Sequence, residues 1–330
     1  MYYGAGRVEL TELPRPVAGD GELVVRVSAC GLCGSDLMQW YQDPRAPLVL
    51  GHEPVGEVVE AGAGAPVGVG ARVFVHHHVP CMACRYCRDG RETLCAMFRK
   101  TRIDPGGLAE FIRVPADNAR RDVLVLPDGL TDLAGTLIEP LACVVRGQAA
   151  AGITAGDPVV VVGAGAMGLL EIYAARALGA TVIALEPRAA RRALARRAGA
   201  QVPEAPTAAA ARQLLGPGGA RAVFVTTPAA AAIGTGIELA GPAGVVQLFA
   251  PPRPGDAVPI DLGAAWFREV RIESTYSAGP ADTRNALQLL RDGVIDPEVI
   301  VSHRIPLAEI DHAFRLARSG DAMKVVVDIS

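Results

Sequence analysis

Residues 158–168 read Pro158-Val159-Val160-Val161-Val162-Gly163-Ala164-Gly165-Ala166-Met167-Gly168, and this stretch decides the fold. A continuous apolar run of this length is typical of a strand that is buried on both faces of a parallel sheet. Glycines at 163, 165 and 168 permit a tight turn into a helix, which the pattern predicts from about Met167 to Leu178. The stretch therefore predicts a strand–turn–helix unit.

The same alternation of strand and helix continues towards the C-terminus. Further strands are predicted at Thr181–Leu185, Ala222–Val225, Val245–Phe249 and Val270–Thr275. Helices are predicted at about Ala189–Ala198 and, in an alanine-rich stretch, Thr207–Leu215. Strands that alternate with helices build right-handed βαβ units, so this part is predicted to be a doubly wound parallel sheet.

The flanking parts of the chain have a different pattern, with short strands separated by turn residues. Before the central part, strands are predicted at Glu22–Val27, Pro54–Glu60, Arg72–Val75 and Ala109–Val114. After Gly279-Pro280, the pattern predicts a helix (Asp282–Arg291), a short strand, a helix (Leu307–Arg318) and a last strand (Lys324–Val327). We therefore predict an α/β protein in which a β-rich domain (residues 1–148 and 278–330) is interrupted by a nucleotide-binding domain (residues 149–277).

Composition excludes several classes of protein. Of the 330 residues, 50% are hydrophobic and 20% are charged, which argues against a disordered or fibrous chain. The net charge of −3 argues against a dedicated nucleic-acid binder. No apolar run is long enough to span a membrane, and no secretory signal is visible at the N-terminus, so we predict a soluble, cytoplasmic protein. Only two basic residues are lysines, Lys100 and Lys324, which we attribute to coding bias.

The glycine-rich turn has the context that a dinucleotide-binding site needs. A strand precedes the turn, a helix follows it, and Glu186 stands at the end of the next strand. A carboxylate there accepts hydrogen bonds from ribose hydroxyls and repels a 2′-phosphate, which favours NAD over NADP. Arginines follow immediately and keep NADP open, although such a basic run is more often a solvated helix face. The predicted cofactor-binding residues are Gly163, Gly165, Ala166, Met167, Gly168, Glu186, Arg188 and Arg191.

Four of the seven cysteines lie within fifteen residues. They are Cys81, Cys84, Cys87 and Cys95. Spacings of two, two and seven residues are typical of a metal site, and an odd total is a poor disulfide framework. Four thiolates close a tetrahedral zinc site and leave no position for substrate, so the predicted role is structural.

A second set of metal-ligand candidates is spread over the chain. It consists of Cys33, His52 and a glutamate, which is either Glu53 or Glu139. One thiolate, one imidazole and one carboxylate form an open zinc site, with a position left for water or a substrate oxygen. Asp36 is predicted to orient the imidazole by accepting its second N–H.

Taken together, these motifs resemble those of the zinc-dependent medium-chain dehydrogenases/reductases, in the branch of sorbitol and threonine dehydrogenases. The resemblance covers the whole chain. It is carried by Gly31–Asp36, Gly51-His52-Glu53, the cysteine lobe, Glu139-Pro140-Leu141, the glycine-rich turn and Ser302-His303-Arg304. It implies a GroES-like catalytic domain joined to a Rossmann domain, with one catalytic and one structural zinc per chain.

The resemblance also implies roles for individual residues. Cys33, His52 and Glu53 or Glu139 would hold the catalytic zinc, and Ser35 would pass the substrate proton towards solvent. Arg304 would donate a hydrogen bond on the substrate side. The chain departs from the family at Met38, where relatives often have a relay histidine, and at Arg146, where relatives frequently have a histidine.

The tract His76-His77-His78 resembles a metal-binding sequence, but it adjoins the cysteine lobe, and we predict that it shapes that loop.

The function implied is reversible hydride transfer between NAD(P) and a secondary alcohol, which we expect to be a polyol, sugar, cyclitol or aminocyclitol. A physiological NADPH-dependent ketone reductase is the alternative within enzymes, and a non-catalytic nucleotide-binding member of the family is the alternative outside them. The expected partners are a small-molecule substrate and further copies of the chain in a homodimer or homotetramer, with no nucleic acid and no membrane.

Overall fold

The computed structural model describes residues 1–329, and the chain divides into two compact units. The first unit consists of Met1–Ala142 and Ser277–Ser330, and the second consists of Cys143–Tyr276. The sequence placed the domain boundaries after residues 148 and 277.

The strands of the described residues are, in chain order, β1 Leu23–Gly31, β2 Glu53–Ala61, β3 Arg72–Val75, β4 Phe111–Val114, β5 Val123–Val125, β6 Pro158–Val162, β7 Thr181–Leu185, β8 Ala220–Val225, β9 Ala240–Leu248, β10 Arg271–Ser274, β11 His303–Pro306 and β12 Val325–Asp328. The α-helices are α1 Gln39–Gln42, α2 Arg85–Arg88, α3 Ala116–Asp122, α4 Asp132–Gly135, α5 Ile138–Ala151, α6 Ala166–Ala177, α7 Ala189–Arg197, α8 Ala208–Leu215, α9 Ala230–Leu239, α10 Leu262–Trp266, α11 Pro280–Arg291, α12 Pro297–Ile300 and α13 Ile310–Ser319. Short 3₁₀ helices occupy Gly34–Leu37, Asp43–Arg45, Glu92–Leu94 and Leu307–Glu309.

The first unit is built on one sheet with the strand order β11-β12-β1-β2-β3-β5, and β4 also pairs with β1. All these pairings are antiparallel except the parallel pair β11–β12. Strand β1 runs four residues beyond the predicted end at Val27, because Ala29, Cys30 and Gly31 pair with both β2 and β12. This extension brings the end of β1 beside the start of β2, where the metal-ligand candidates lie.

The second unit has a five-stranded parallel sheet in the order β10-β9-β8-β6-β7, so the predicted doubly wound sheet is confirmed. Its interior strand β6 is almost completely buried, as its unbroken valine run predicts. Helix α6 packs tightly against the turn that precedes it. A Cβ on Gly168 would come within 2.0 Å of the Gly163 carbonyl oxygen, so the close approach requires glycine at 168.

Helix α5 is the longest element that the sequence patterns did not predict. Most of its residues from Ile138 to Gln148 are buried, on more than one side of the helix. A helix that is apolar around most of its circumference lacks the one-sided periodicity by which sequence analysis recognises helices. No helix within residues 1–329 combines the length and apolar character that crossing a membrane requires.

Candidate metal and cofactor sites

The candidate catalytic site lies where β1 ends and β2 begins. Gly31 pairs with Glu53 in the antiparallel ladder, so Cys33 is placed beside His52 and Glu53. One ligand atom from each of these three residues lies within 4.8 Å of the other two. A Cβ on Gly31 would approach Glu53 Oε2 to 1.8 Å, so the glycine makes room for the carboxylate. The sequence analysis predicted Cys33 and His52 together with either Glu53 or Glu139, and the fold brings Glu53 beside the first two.

Asp36 supports this group from the buried side. Its Oδ2 accepts the backbone N–H of Cys33 at 3.1 Å, and its Oδ1 lies 3.5 Å from His52 Nδ1. Burial lowers the pKa of His52, but the Asp36 carboxylate and the Cys33 thiol outweigh burial and raise the pKa well above its usual value. Asp36 therefore occupies the orienting position that the sequence predicted for it.

Glu53 also forms a buried ion pair that the sequence analysis did not predict. Lys324 Nζ donates to Glu53 Oε1 at 2.7 Å and lies 2.5 Å from Oε2. Burial raises the pKa of Glu53, and Lys324 opposes this rise. The ammonium thus holds both carboxylate oxygens beside Cys33 and His52. One feature of the sequence pointed to a special role for Lys324, because it is one of only two lysines in an arginine-rich chain.

The other candidate glutamate, Glu139, lies on α5 and is 5% exposed. Its carboxylate groups with ring nitrogens of His76 and His77, within 4.8 Å of both. The rings of His77 and His52 are 4.9 Å apart between centroids, so this group adjoins the Cys33 site. Which of the two glutamates completes the zinc site stays a prediction.

The four-cysteine lobe forms a closed cluster. The sulfur of Cys87 lies 3.5 Å from that of Cys84 and 3.9 Å from that of Cys81. Tetrahedral zinc with Zn–S bonds of about 2.3 Å separates its sulfurs by about 3.8 Å, so the lobe fits zinc. Cys95 belongs to the same group, and Phe98 is fully buried against it.

Backbone N–H groups assist the lobe in holding thiolates. The N–H groups of Ala83 and Cys84 donate to the Cys81 sulfur and lower its pKa to about 6. Burial and hydrogen bonds from its neighbouring cysteines raise the pKa of Cys87 to about 12. A bound zinc would favour the ionised form of all four thiols, because metal binding and thiol deprotonation are coupled.

The dinucleotide turn connects β6 to α6. Gly163 has φ +97°, and Gly165 caps the helix. Glu186 is buried, and its two carboxylate oxygens accept the backbone N–H groups of Ala164 and Arg188, each at 2.8 Å. A Cβ on Gly165 would lie 3.7 Å from Arg191 Nη1, so this guanidinium flanks the turn. Backbone N–H groups at the start of α6 provide the donors that a pyrophosphate needs.

Three other predicted positions lie in the first unit. Ser35 is half-buried in the 3₁₀ turn after Cys33, and its carbonyl accepts from Gln42 Nε2 at 2.9 Å. Met38 ends that turn. Arg304 donates to both carboxylate oxygens of Asp328 at 2.9–3.2 Å. A substrate-side role for Arg304 stays a prediction.

A closed four-thiolate site, an open site with mixed donors and a dinucleotide turn together define a zinc-dependent medium-chain dehydrogenase that uses NAD(P). Residues 19–128 match the alcohol dehydrogenase GroES-like domain, and residues 166–292 match the zinc-binding dehydrogenase family. The chain belongs to this family, in the branch that contains sorbitol and threonine dehydrogenases.

Individual relatives resemble the chain over nearly its full length. L-threonine 3-dehydrogenase of Pyrococcus furiosus is 32% identical, with 98% of this chain and 95% of the relative covered. Sorbitol dehydrogenase of Halalkalibacterium halodurans is 30% identical, with 98% and 96% covered. The crystal structure of a putative zinc-binding dehydrogenase from Sinorhizobium meliloti, bound to NADP, has a TM-score of 0.87 at 31% identity, with 98% and 97% covered.

Proposed function

We propose that the protein oxidises a secondary alcohol of a polyol, sugar, cyclitol or aminocyclitol to the ketone, reversibly, with NAD. The observation that carries this proposal is the donor set of Cys33, His52 and Glu53, in which a carboxylate stands beside one thiol and one imidazole. Such a set fits an open zinc site that leaves a position for an alcohol oxygen. The names of the two curated relatives, sorbitol and threonine dehydrogenase, support a hydroxylated secondary-alcohol substrate.

The residues of this site have separate tasks in the proposed reaction. When bound, zinc supplies Lewis acidity at the substrate hydroxyl, and the dinucleotide supplies the hydride acceptor. Asp36 keeps the His52 ring in one orientation, and Lys324 keeps Glu53 in place. The alcohol carbon loses a hydride, and the hydroxyl proton leaves towards solvent through Ser35. Because Met38 cannot carry a proton, the outer part of the relay uses the cofactor ribose, water or another residue, or turnover is slower.

A panel of initial rates tests the substrate class. We expect activity with open-chain polyols, cyclitols or aminocyclitols, and much lower activity with simple primary alcohols, when each is offered with NAD and with NADP. Activity confined to primary alcohols would contradict the proposed substrate class. A protein that binds zinc and NAD but transfers hydride from no member of the panel would favour the non-catalytic alternative.

The NADPH-dependent ketone reductase remains the second candidate. Arg191 flanks Gly165 of the dinucleotide turn, and a positive charge at this position favours a nucleotide phosphate. The Sinorhizobium meliloti relative was crystallised with NADP. A strong preference of the wild-type protein for NADPH and ketones would favour the reductase over the NAD-dependent dehydrogenase.

Glu186 provides the test of cofactor choice. Its carboxylate is fixed by two backbone N–H groups, and unused lone pairs remain for ribose hydroxyls. We expect Glu186→Ala to lower kcat/KM for NAD relative to NADP by about 10-fold to 100-fold, since hydrogen bonds to a charged group are worth about 1.5–3 kcal/mol. The matched variant Glu186→Asp keeps the charge and should retain most of the preference. An unchanged ratio in Glu186→Ala would show that this carboxylate does not choose the cofactor.

We propose further that the chain forms a homodimer through β10, the edge strand of the parallel sheet. Trp266 and Phe267 just before it are 79% and 91% exposed, and exposed edges and large apolar groups tend to be covered in assemblies. Antiparallel pairing of β10 with its copy, centred on Ile272, would set Arg271 opposite Glu273 of the second copy and Glu273 opposite Arg271.

The cytoplasmic location of the protein stays a prediction.

Phe267→Glu tests this interface. A two-fold interface loses two copies of the side chain at about 2 kcal/mol each, so we expect the dimer Kd to weaken by roughly 10²-fold to 10³-fold in sedimentation measurements. Val69→Glu, at a 65% exposed position in the other unit, is the matched control and should leave association unchanged. Equal effects of the two substitutions would exclude β10 as the interface.

A further inference from the structure

The four-cysteine lobe carries a positive patch that the holding of zinc does not require. Between residues 85 and 102 the chain has six basic and two acidic residues, and all six basic side chains are exposed. They are Arg85, Arg88, Arg91, Arg99, Lys100 and Arg102. Because the whole chain carries −3, this segment of +4 leaves −7 on the remaining residues. The lobe is therefore strongly positive on a chain that is otherwise negative.

Most of these cations have no partner within the chain. Arg85 lies 3.5 Å from the Asp89 carboxylate, in an exposed pair. Four others form neither an ion pair nor a side-chain hydrogen bond within residues 1–329, and they are Arg88, Arg91, Arg99 and Lys100. Elsewhere in the same unit, the exposed Arg26 is paired with Glu57 at 2.8 Å. The lobe therefore presents cations that remain available to the carboxylates of another molecule.

A strained residue belongs to the same lobe. Met82, between Cys81 and Cys84, has φ +60° and is 51% exposed. Residues other than glycine adopt this left-handed conformation at a cost in free energy. Met82 also lies outside the small apolar cluster in which Cys87 and Phe98 are buried. Its side chain thus strains the backbone without packing into the lobe, and strained residues concentrate at functional sites.

Two more side chains of the lobe add exposed apolar surface. Tyr86 is 47% exposed and Leu94 is 39% exposed. Arginine, tyrosine and methionine are enriched in protein–protein interfaces, where arginine and tyrosine are frequent hot spots. We propose that the surface formed by the unpaired cations, Met82 and Tyr86 docks an acidic segment of another protein. The guanidinium groups would bind its carboxylates, and Met82 and Tyr86 would pack against apolar side chains of the same segment.

Two observations favour a protein segment over a nucleic acid or a membrane. Tyr86 is the one exposed aromatic side chain between residues 81 and 102, since Phe98 is fully buried. Single-stranded nucleic acids are bound on platforms where successive bases stack on aromatic side chains. The −7 on the rest of the chain would also repel a long polyanion or an anionic membrane that extended beyond the lobe. A short acidic segment contacts the lobe alone.

Binding of a synthetic acidic peptide by the zinc-loaded protein tests the proposal. The peptide consists of glutamates with interspersed leucines and carries a fluorophore for anisotropy measurements. We expect saturable binding that weakens as salt is added, because exposed charges are screened. A single-stranded oligonucleotide of the same net charge and vesicles of phosphatidylglycerol should bind less tightly than the peptide.

Three variants locate the binding surface. Arg88→Glu should weaken peptide binding by about 10-fold, since it replaces an attraction by a repulsion. Arg284→Glu, at an exposed position on α11 outside the lobe, is the matched control and should leave the affinity unchanged. Met82→Gly should weaken binding by about 3-fold to 10-fold through lost apolar contact. It should not lower the melting temperature, because glycine adopts φ +60° without strain.

Three results would overturn the proposal. One is that the wild-type protein does not bind the peptide. Another is that Arg88→Glu and Met82→Gly bind it as tightly as the wild type, or that Arg284→Glu weakens binding as much as they do. The third is tighter binding of the oligonucleotide or the vesicles, which would make the lobe a surface for a different polyanion. None of these results bears on the polyol assay, so this inference and the proposed function can fail separately.

Discussion

Cys33→Ser is expected to abolish hydride transfer while leaving the fold intact. Cys33 is a ligand candidate in an open site, at the end of a strand that is paired on both sides, so the scaffold does not depend on the metal. Loss of a Lewis acid that contributes several kcal/mol implies a fall in kcat/KM of about 10³-fold or more. The variant should lose one zinc per chain relative to the wild type and melt within a few degrees of it.

Cys87→Ser is expected to lower the stability of the fold while leaving part of the activity. Cys87 is 8% exposed and packs with Cys95 and Phe98 in a small cluster that has little apolar core of its own. Metal-binding energy in such a lobe is also folding energy, so loss of this zinc should lower the melting temperature by about 10 °C or more. Residual activity should survive at low temperature, since the lobe's ligands are distinct from those of the open site.

Three quantities measured on both variants test this prediction. They are the zinc content by elemental analysis, the melting temperature and the activity. Cys143→Ser is the control, because Cys143 is the half-buried cysteine on α5 and belongs to neither metal group. It should change none of the three quantities. Parallel losses of activity and stability in the Cys33 and Cys87 variants would refute the assignment of separate roles.

Glu171→Gln is expected to remove a large pH dependence of stability. Glu171 lies on α6, is 0% exposed, and accepts from Gln148 Nε2 at 2.7 Å. Burial raises the pKa of its carboxyl to about 8, partly opposed by the Gln148 hydrogen bond. The native state therefore keeps a proton that the unfolded chain releases near the ordinary pKa of about 4.3.

The direction of the effect follows from this difference. Between about pH 4.5 and 8 the native state binds more protons at this site, so wild-type stability falls as pH rises through that window. By pH 8 the wild type should be less stable than Glu171→Gln by roughly 4 kcal/mol, with the difference nearly absent at pH 4.5. Denaturant unfolding across this pH range measures it.

The control for this experiment is Glu204→Gln. The Glu204 side chain is 90% exposed, so the substitution removes a surface carboxyl instead of a buried one. This variant should follow the wild-type pH profile. If Glu171→Gln follows that profile as well, the carboxyl of Glu171 is ionised in the native protein.

Features encoded by short spacings were predictable from the sequence. The four lobe cysteines lie within fifteen residues, and the glycine-rich turn occupies six, so local chain geometry already limits which side chains can meet. The valine run of β6 and the alternation of strands and helices after it were likewise sufficient to predict the parallel sheet. In each case either the interacting groups are close together in the sequence, or the hydrophobic periodicity of a single strand or helix indicates its place in the fold.

Only the tertiary structure decided how distant polar groups are combined. Lys324 meets Glu53 across 271 residues, and Thr283 meets Asp122 across 161. The sequence offered Glu53 and Glu139 as equal candidates, and the fold placed the first beside Cys33 and the second beside His76 and His77. Because a buried polar group is stabilised by whichever partner the packed chain brings within hydrogen-bond distance, no local pattern specifies that partner.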